Sequence, residues 1–361
     1  MRLRSKKTKM QVAWISDSFE QINGVSTYIK NILPLLNKQL DIKLFTGRVT
    51  NDYEFPVFSM PHISFPFLPE YDIISPFFKK IDANLIHVHS AYLLGLRSSR
   101  LDMKKIVTTH FHPYNFLESF FGQNQPKIFR DLMWRYIIWF LNQFDIVITQ
   151  TRAKEKTFKT QGLKTRIEVV PNGMDMSKSI EHTELKVDFR KKFGIRGDFA
   201  LFLGRLDASK RPDWVIEVAK RLPHRQFVII GRGTLEKKLP HPKNVHFIRE
   251  YISAEDKIGA YHSASMILMP SAVGVEMEGL VAQEAMLCKT PVLHSDDDVL
   301  NEVVGKGGIA CRSIEELKEK TELLFEDNEL REELGERALE AVGKRDINKS
   351  VEKLIKIYDS L

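Results

Sequence analysis

Residues 266–295 read MILMPSAVGVEMEGLVAQEAMLCKTPVLHS and contain one complete unit of apolar run, helical segment and apolar run. MILMPS is a short, continuous apolar run that ends at Ser271, and PVLHS, from Pro291, is another. Between them, the apolar residues from Leu280 to Leu287 predict a helix that begins near Gly279. Two strands that are apolar throughout, joined by a helix, indicate a parallel pair covered on both faces.

The same alternation of apolar run and helical segment continues along the whole chain. The runs of the first half are VAWIS from Val12, IKLFTG from Ile42, LIHVHS from Leu85, IVTTH from Ile106, IVITQ from Ile146 and IEVVP from Ile167. Those of the second half are ALFLGR from Ala200, FVIIGRG from Phe227, VHFI from Val245, MILMPS from Met266, PVLHS from Pro291 and GIACR from Gly308. The pattern predicts an α/β protein with two doubly wound, Rossmann-like domains.

The length of the chain also favours two domains, because 361 residues exceed what one hydrophobic core usually supports. Pro171-Asn172-Gly173 ends a strand in a turn, so we place the junction there. We predict one Rossmann-like domain at 1–172, a second at 173–345, and a last helix at 346–361 that packs back on the first. In such sheets ligands bind beyond the carboxyl ends of the strands, which predicts a site in the cleft between the domains.

The composition, 43% hydrophobic and 28% charged, is that of a soluble globular protein. No apolar run approaches the roughly 20 residues that cross a bilayer. The basic start MRLRSKKTKM precedes only a strand-length apolar run, which argues against a signal peptide. We therefore expect a cytoplasmic protein, which could be peripheral on the inner face of the membrane. Cys288 and Cys311 are interpreted as two buried thiols, not as metal ligands.

Charge is distributed unevenly between the two halves. Residues 1–172 contain 24 Lys and Arg against 14 Asp and Glu, whereas residues 173–361 contain 30 against 33. The first half is thus about +10 and the second about −3. This asymmetry suggests an anionic partner for the first half, such as a phospholipid surface, a lipid-linked phosphate or a nucleic acid. The alternative is a solvated basic face that serves solubility.

Two cations follow the strand ALFLG, in the segment Gly204 to Lys210. Arg205 and Lys210 would lie at the carboxyl edge of the second sheet and could neutralise a diphosphate. A solvated loop is the alternative. The N–H groups of Gly279 and Leu280 would lie at the positive end of a helix dipole, which also favours phosphate.

Two glutamates flank that helix start. Glu284 lies within the apolar helix, where an unpartnered carboxylate would be costly to bury, and a ligand rich in hydroxyls would supply partners. Glu276, eight residues earlier, could reach a second hydroxyl-bearing group beyond the phosphates. A ligand in which a sugar, a diphosphate and a ribose follow one another fits the order of Glu276, helix start and Glu284.

Two further segments are candidate sites with ordinary structural alternatives. Gly24, in a loop that we expect to lead into a helix near Thr27, would let backbone N–H groups approach an anion. An ordinary turn and N-cap is the better interpretation for this loop alone. Asp296-Asp297-Asp298 contains an Asp-x-Asp pattern, but its position before an apolar run favours a helix N-cap, and we expect no metal.

The pattern Glu276-x7-Glu284-Ala-Met, preceded by Pro270-Ser271, resembles the retaining glycosyltransferases of family four (group 1), which have the GT-B fold. The resemblance extends over nearly the whole chain. The other matching segments are INGVSTY at Ile22, LIHVHS at Leu85, VTTH at Val107, VPNGMD at Val170 and GRLDASK at Gly204.

The resemblance implies roles for individual residues. Arg205 and Lys210 would hold the diphosphate of a UDP- or GDP-linked sugar and stabilise charge on the departing nucleotide. Glu276 would contact the transferred sugar and Glu284 the ribose. Gly24 would lie against the donor phosphates.

The resemblance also implies a histidine beside the reacting sugar carbon. His110 is placed there, with His112 as a competitor, and a core or capping histidine is the alternative for each. The chain departs from the family pattern at Met277-Glu278-Gly279, where Gly-Phe-Gly is usual. A carboxylate beside a diphosphate is unfavourable unless it points away or meets a cation, so Glu278 leaves the sugar preference open. The alternative is that Glu278 hydrogen-bonds a sugar hydroxyl.

Members of this family bind the acceptor mainly with the first domain, the basic half of this chain. Phe65 to Phe78 is rich in Phe and Pro. Lys127 to Phe144 predicts a broad apolar helix with Lys127, Arg130 and Arg135 on its polar stripe. This helix could lie on an anionic membrane. A buried structural helix is the alternative, since Trp134 and Trp139 suit a core as well.

These observations favour a retaining glycosyltransferase that moves a hexose from a nucleoside-diphosphate sugar to an acceptor, which could be a lipid or a lipid-linked molecule at the membrane surface. We expect no cofactor and no nucleic acid partner. One alternative is a GT-B epimerase or phosphorylase, the latter usually with a lysine-bound pyridoxal phosphate. The other is a non-catalytic protein that binds anionic surfaces, which leaves Glu276 and Glu284 unexplained.

Overall fold

The computed structural model describes residues 9–21, 23–64, 72–77, 81–110, 126–177 and 188–361. These residues form two compact units. The first comprises the described residues of Met1–Phe111, Asp131–Asn172 and Ile347–Leu361. The second comprises those of His112–Arg130 and Gly173–Asp346.

The first unit is built on a parallel sheet. Its strands are β1 (Gln11–Ile15), β2 (Asp41–Thr46), β3 (Val57–Ser59), β4 (His62–Ser64), β5 (Asp72–Ile74), β6 (Leu85–Val88), β7 (Lys104–Thr108), β8 (Ile146–Thr149) and β9 (Arg166–Val169). Seven of them pair in the order β3-β2-β1-β6-β7-β8-β9, all parallel. The remaining two, β4 and β5, form a separate antiparallel pair.

The second unit has a six-stranded parallel sheet. Its strands are β10 (Phe199–Leu203), β11 (Gln226–Ile230), β12 (Val245–Ile248), β13 (Met266–Met269), β14 (Val292–Ser295) and β15 (Gly308–Cys311). They pair in the order β12-β11-β10-β13-β14-β15, which is the order of a dinucleotide-binding fold. The direction of winding reverses between β10 and β13, so the loops after these two strands flank the crevice where such sheets bind ligands.

Helices connect the strands. Along the chain they are α1 (Gly24–Asn37), α2 (Leu93–Ser98), α3 (Lys127–Leu141), α4 (Arg152–Thr160), α5 (Phe189–Phe193), α6 (Pro212–Arg221), α7 (Ala254–Ser263), α8 (Leu280–Leu287), α9 (Asp298–Val304), α10 (Ile314–Glu326), α11 (Asn328–Gly343) and α12 (Ile347–Asp359). None of them, within the described ranges, is both long and apolar enough to cross a membrane.

Burial on both faces explains why the strands are apolar throughout. In β1, Trp14 is fully buried, and its neighbours on both sides are at most 1% exposed. The last helix belongs to the same core: Leu354 and Tyr358 of α12 cluster with Trp14 and with Ile29 of α1. Each such side chain contributes roughly 1.5–3 kcal/mol through removal from water.

The α/β class with two Rossmann-like domains is confirmed, and every predicted apolar run overlaps a strand. The prediction for α1 was wrong by three residues, because the helix begins at Gly24 and not near Thr27. The Asn23 side chain accepts a hydrogen bond from the N–H of Ser26 at 3.0 Å, which satisfies the first turn earlier than the apolar pattern indicates.

The prediction of two buried thiols is confirmed. Cys288 and Cys311 are buried and not joined in a disulfide. Burial raises the pKa of each thiol to about 12, so both are unreactive at neutral pH.

Candidate active site

The loops after β10 and β11 pack backbone to backbone at the edge of the second sheet. A Cβ at Gly231 would lie 1.9 Å from the carbonyl oxygen of Gly204. Gly231 has φ +147° and Gly204 has φ +158°, so both positions also favour glycine by conformation. This close approach fixes the path of the loop from Gly204 to Lys210.

Lys210 and Glu276 form an ion pair across the point where the sheet reverses its winding. Lys210 Nζ lies 2.5 Å from Glu276 Oε1, and the Ser271 hydroxyl donates to the same oxygen at 2.6 Å. The Glu276 side chain is 7% exposed, whereas that of Lys210 is 25% exposed. The structure thus brings together the residues predicted for the diphosphate and for the sugar, and holds the carboxylate with two donors.

Arg205 lies on the same loop with its side chain half exposed. Its guanidinium is 3.0 Å from Asp207, which also accepts hydrogen bonds from the Ser209 hydroxyl at 2.6 Å and from the N–H of Lys210 at 3.1 Å. Asp207 therefore organises the turn that carries both cations. The half-exposed guanidinium keeps donors available to an anion.

Glu284 has two partners within the protein, so the argument that its burial requires a ligand was wrong. Lys257 Nζ donates to one carboxylate oxygen at 2.6 Å, and the Tyr261 hydroxyl donates to the other at 2.8 Å. Its side chain is also 20% exposed and not fully buried. Burial and the charge of Glu284 raise the pKa of Tyr261 well above its usual value, so the phenol remains a donor. Contact with a ribose stays a prediction that rests on the family resemblance.

Glu278 faces a cation. This is one of the two conditions, pointing away or meeting a cation, under which a carboxylate is tolerated beside a diphosphate. Its side chain is 2% exposed and lies 3.3 Å from Arg345, which is 10% exposed. The Gln283 amide donates to the Glu278 carbonyl at 3.1 Å. The carboxylate of Glu278 is therefore neutralised inside the protein.

The predicted start of α8 is confirmed. Gly279 is its N-cap, with φ +66°, and a Cβ there would lie 2.9 Å from the Leu300 side chain. The N–H groups of Gly279 and Leu280 precede the first full turn, where the helix dipole favours an anion. Phosphate binding by these groups remains a prediction.

The predicted N-cap in the Asp296-Asp297-Asp298 segment is also confirmed. One oxygen of Asp297 accepts hydrogen bonds from the N–H groups of Val299 and Leu300 at 2.9 and 3.2 Å. The other accepts from the N–H of Gly274 at 2.6 Å, which ties the loop that carries Glu276 to α9. No group of three or more His, Cys, Asp or Glu that could hold a metal is found in the described part of the chain.

Asp297→Ala is expected to lower the free energy of unfolding by about 1–2 kcal/mol, because the cap and the tether to Gly274 are lost together. Chemical denaturation measures this change. Asp298→Ala removes the exposed neighbouring carboxylate and serves as the matched control. Equal stability of the two variants would contradict the assignment of the cap to Asp297.

The corresponding edge of the first sheet carries Asp17, His89, Ser90 and His110, each placed just after β1, β6 or β7, which are adjacent. The Ser90 hydroxyl donates to Asp17, and burial raises the pKa of that carboxyl to about 7. His110 Nε2 lies 2.9 Å from His89 Nδ1. Burial lowers the pKa of His110 to about 3.

Sequence reasoning singled out only His110 among these four residues. The missed signal is positional: Asp17, Ser90 and His110 each lie two residues beyond the end of a strand. Gly24 is exposed and is the first residue of α1. His112 and most of the segment from Phe65 to Phe78 lie outside the described residues.

Comparison with known families gives two matches along the chain. The model of Glycosyltransferase Family 4 matches residues 22–178, and that of Glycosyl transferases group 1 matches residues 186–341. An uncharacterized glycosyltransferase of Methanocaldococcus jannaschii is 26% identical, over 98% of this chain and 99% of its own length.

Two solved structures with the same fold superpose on this chain over almost the full length of both proteins. Sucrose-phosphate synthase from Thermosynechococcus elongatus superposes with a TM-score of 0.76 at 17% identity, over 98% of this chain and 99% of its own. HepE from Anabaena, in complex with UDP and glucose, superposes with a TM-score of 0.75 at 17% identity, over 98% of this chain and 100% of its own. With its two parallel sheets and two family matches, this chain belongs to the family four, group 1 glycosyltransferases of the GT-B fold.

Proposed function

We propose that the protein transfers a hexose from a UDP-linked sugar to an acceptor with retention of the anomeric configuration. The observation that carries this proposal is the arrangement of Lys210, Glu276 and Ser271 at the reversal point of the second sheet. HepE, which has the same fold, has been solved with UDP and glucose and with UDP-glucose. UDP is therefore the first nucleotide to test, with GDP as the second.

The diphosphate is assigned to the cations of the loop after β10. Lys210 has three N–H donors and is partly exposed, so it can contact a phosphate while it remains paired with Glu276. Arg205 adds a planar fork of donors. These charges, with the N-terminus of α8, stabilise the departing nucleotide, and we propose that the reaction needs neither a metal ion nor a bound cofactor.

The transferred sugar is assigned to Glu276. Because Lys210 and Ser271 both donate to its Oε1, the carboxylate has a fixed orientation and can accept hydrogen bonds from sugar hydroxyls with little reorganisation. Retention is proposed because the spacing of Glu276 and Glu284 resembles that of the retaining glycosyltransferases of family four.

Thermal stabilisation by nucleotides tests the donor assignment, since a ligand that binds the folded state raises its apparent stability. UDP and UDP-glucose are expected to raise the melting temperature, GDP to raise it less, and a chelator to change neither result. If no nucleoside diphosphate stabilises the protein at millimolar concentration, the proposed donor site is wrong. Stabilisation that a chelator abolishes would instead contradict metal independence.

The acceptor is proposed to be a lipid or lipid-linked molecule at an anionic membrane surface, because one face of α3 is apolar and exposed. Ile128, Leu132 and Trp139 are 65%, 51% and 48% exposed. Their spacing of four and seven residues puts them on one stripe of the helix, together with the exposed Arg135. Trp134, on the opposite side, is buried, whereas Trp139 is exposed, so the alternative of a buried helix holds for only one face.

Replacing Leu132 and Trp139 together by Ser is expected to weaken binding to vesicles of phosphatidylcholine and phosphatidylglycerol by about tenfold or more, because two apolar anchors are lost. Vesicle sedimentation measures the binding. Leu323→Ser, at an exposed leucine of α10, is the matched control. Absence of vesicle binding by the unaltered protein, or equal binding by both variants, would contradict the proposed membrane surface.

A further inference from the structure

His89 and His110 share a hydrogen bond at the carboxyl edge of the first sheet. They follow β6 and β7, which are neighbouring strands, and their Nδ1 and Nε2 atoms are 2.9 Å apart. The two rings are nearly parallel, at 25° with centroids 5.2 Å apart. At this N–N distance one nitrogen donates a proton and the other accepts it.

Both imidazoles are neutral at physiological pH. Burial lowers the pKa of His110 to about 3 and that of His89 well below its usual value. A neutral imidazole carries one proton on one of its two nitrogens. The pair therefore has two possible arrangements: either His89 donates from Nδ1, or His110 donates from Nε2.

The surroundings of His89 distinguish these arrangements. Its Nε2 is fully enclosed and has no hydrogen-bond partner among the residues that the structure describes. The ring of Trp14 stacks on it at 4.2 Å, and the ring of His87 lies 4.3 Å away. A proton on Nε2 would be a buried donor without an acceptor, which is energetically unfavourable. A bare Nε2 leaves only an unused lone pair, which proteins tolerate more often.

We infer that His89 is a positioning residue that donates its Nδ1–H to His110 Nε2 and so fixes the proton of His110 on Nδ1. His110 then offers an N–H donor to a bound molecule, and its single lone pair is occupied by His89. Under the proposed function, on which this reading of the ligand rests, His110 donates to an oxygen of a bound substrate and does not act as a general base.

His87 provides an internal contrast. Its Nδ1 lies 2.6 Å from the Tyr358 hydroxyl and its Nε2 lies 2.6 Å from the Thr108 hydroxyl, so both nitrogens have partners. Its hydrogen bonds link β6 to α12 and to β7. His87 is therefore a core histidine, whereas among the residues that the structure describes His89 is hydrogen-bonded to His110 through Nδ1 and has no partner on Nε2.

Nitrogen-15 NMR of histidine-labelled, full-length protein tests the inference without any ligand. The His110 resonances are assigned by comparison with His110→Gln. We expect Nδ1 to resonate as a protonated nitrogen and Nε2 as an unprotonated one. His89→Asn places an amide N–H near the former Nδ1 and should keep this pattern, whereas His89→Leu should shift His110 toward the Nε2–H form.

Two results would overturn the inference. One is a proton on Nε2 of His110 in the unaltered protein, and the other is an unchanged His110 spectrum in His89→Leu. If His89→Leu does not fold, the unaltered protein still decides the question, because its own spectrum reports the tautomer.

Hydrolysis of UDP-glucose gives a second readout. We expect His89→Leu to lower kcat/KM by about tenfold, the effect of one lost hydrogen bond, with the affinity for UDP unchanged. His89→Asn should restore most of the rate, which a purely structural role would not predict, and equal losses in both variants would contradict the positioning role. No turnover by the unaltered protein would count against the proposed function and leave the NMR test intact.

Discussion

Glu276→Gln is expected to lower the rate of sugar transfer by about 10²–10³-fold while the protein remains folded. The amide keeps the shape of the side chain but removes the charge that Lys210 and Ser271 orient. Without that charge, hydrogen bonds to the sugar weaken in the transition state, where they matter most. Release of UDP from UDP-glucose measures the rate, and circular dichroism monitors folding.

Glu332→Gln is the matched control for this variant. It makes the same chemical change at an exposed glutamate of α11, so its turnover should equal that of the unaltered protein. Turnover by Glu276→Gln within a few-fold of this control would remove Glu276 from the reaction.

Lys210→Ala is expected to weaken UDP binding by about 10- to 100-fold, because a charge-assisted hydrogen bond to phosphate contributes about 1.5–3 kcal/mol. Isothermal titration calorimetry with UDP measures this directly, without catalysis. The substitution also leaves Glu276 without its Nζ partner, so we expect turnover to fall further than affinity.

Lys243→Ala separates the local effect from the loss of one positive charge. Lys243 is an exposed lysine of the same unit, and its replacement should leave the affinity for UDP unchanged. If Lys210→Ala binds UDP as tightly as Lys243→Ala does, Lys210 does not contact the nucleotide.

Strands such as β1 and β13 were predictable because both of their faces are buried, which leaves continuous apolar runs. The three short strands β3 to β5 were missed. In β3, Phe58 and Ser59 are exposed, so no apolar run marks the strand. The start of α1 was misplaced because a side-chain cap at Asn23, and not apolar periodicity, determines it.

The candidate site was predictable where a local pattern carried it. The spacing of Glu276 and Glu284 and the loop with Lys210 identified three residues that the structure places at one sheet edge or on the helix beside it. Their pairing was not predictable, because Lys210 and Glu276 lie 66 residues apart and meet only where β10 and β13 are neighbours.

The partners of the other two glutamates were missed for the same physical reason. Lys257 and Tyr261 lie one turn apart on α7 and reach Glu284 only when that helix packs beside α8. Arg345 is 67 residues from Glu278. Sequence reasoning recognised that each carboxylate needs a partner, but tertiary packing decides whether protein or ligand provides it.

The central claim is that this chain transfers hexose from a nucleotide sugar with retention. Proton NMR of the products formed from UDP-glucose and water tests it most directly, because the first-formed anomer of glucose is visible before mutarotation. We predict release of UDP together with α-glucose. Initial release of β-glucose, or no release of nucleotide from UDP-glucose, UDP-galactose or GDP-mannose, would contradict the claim.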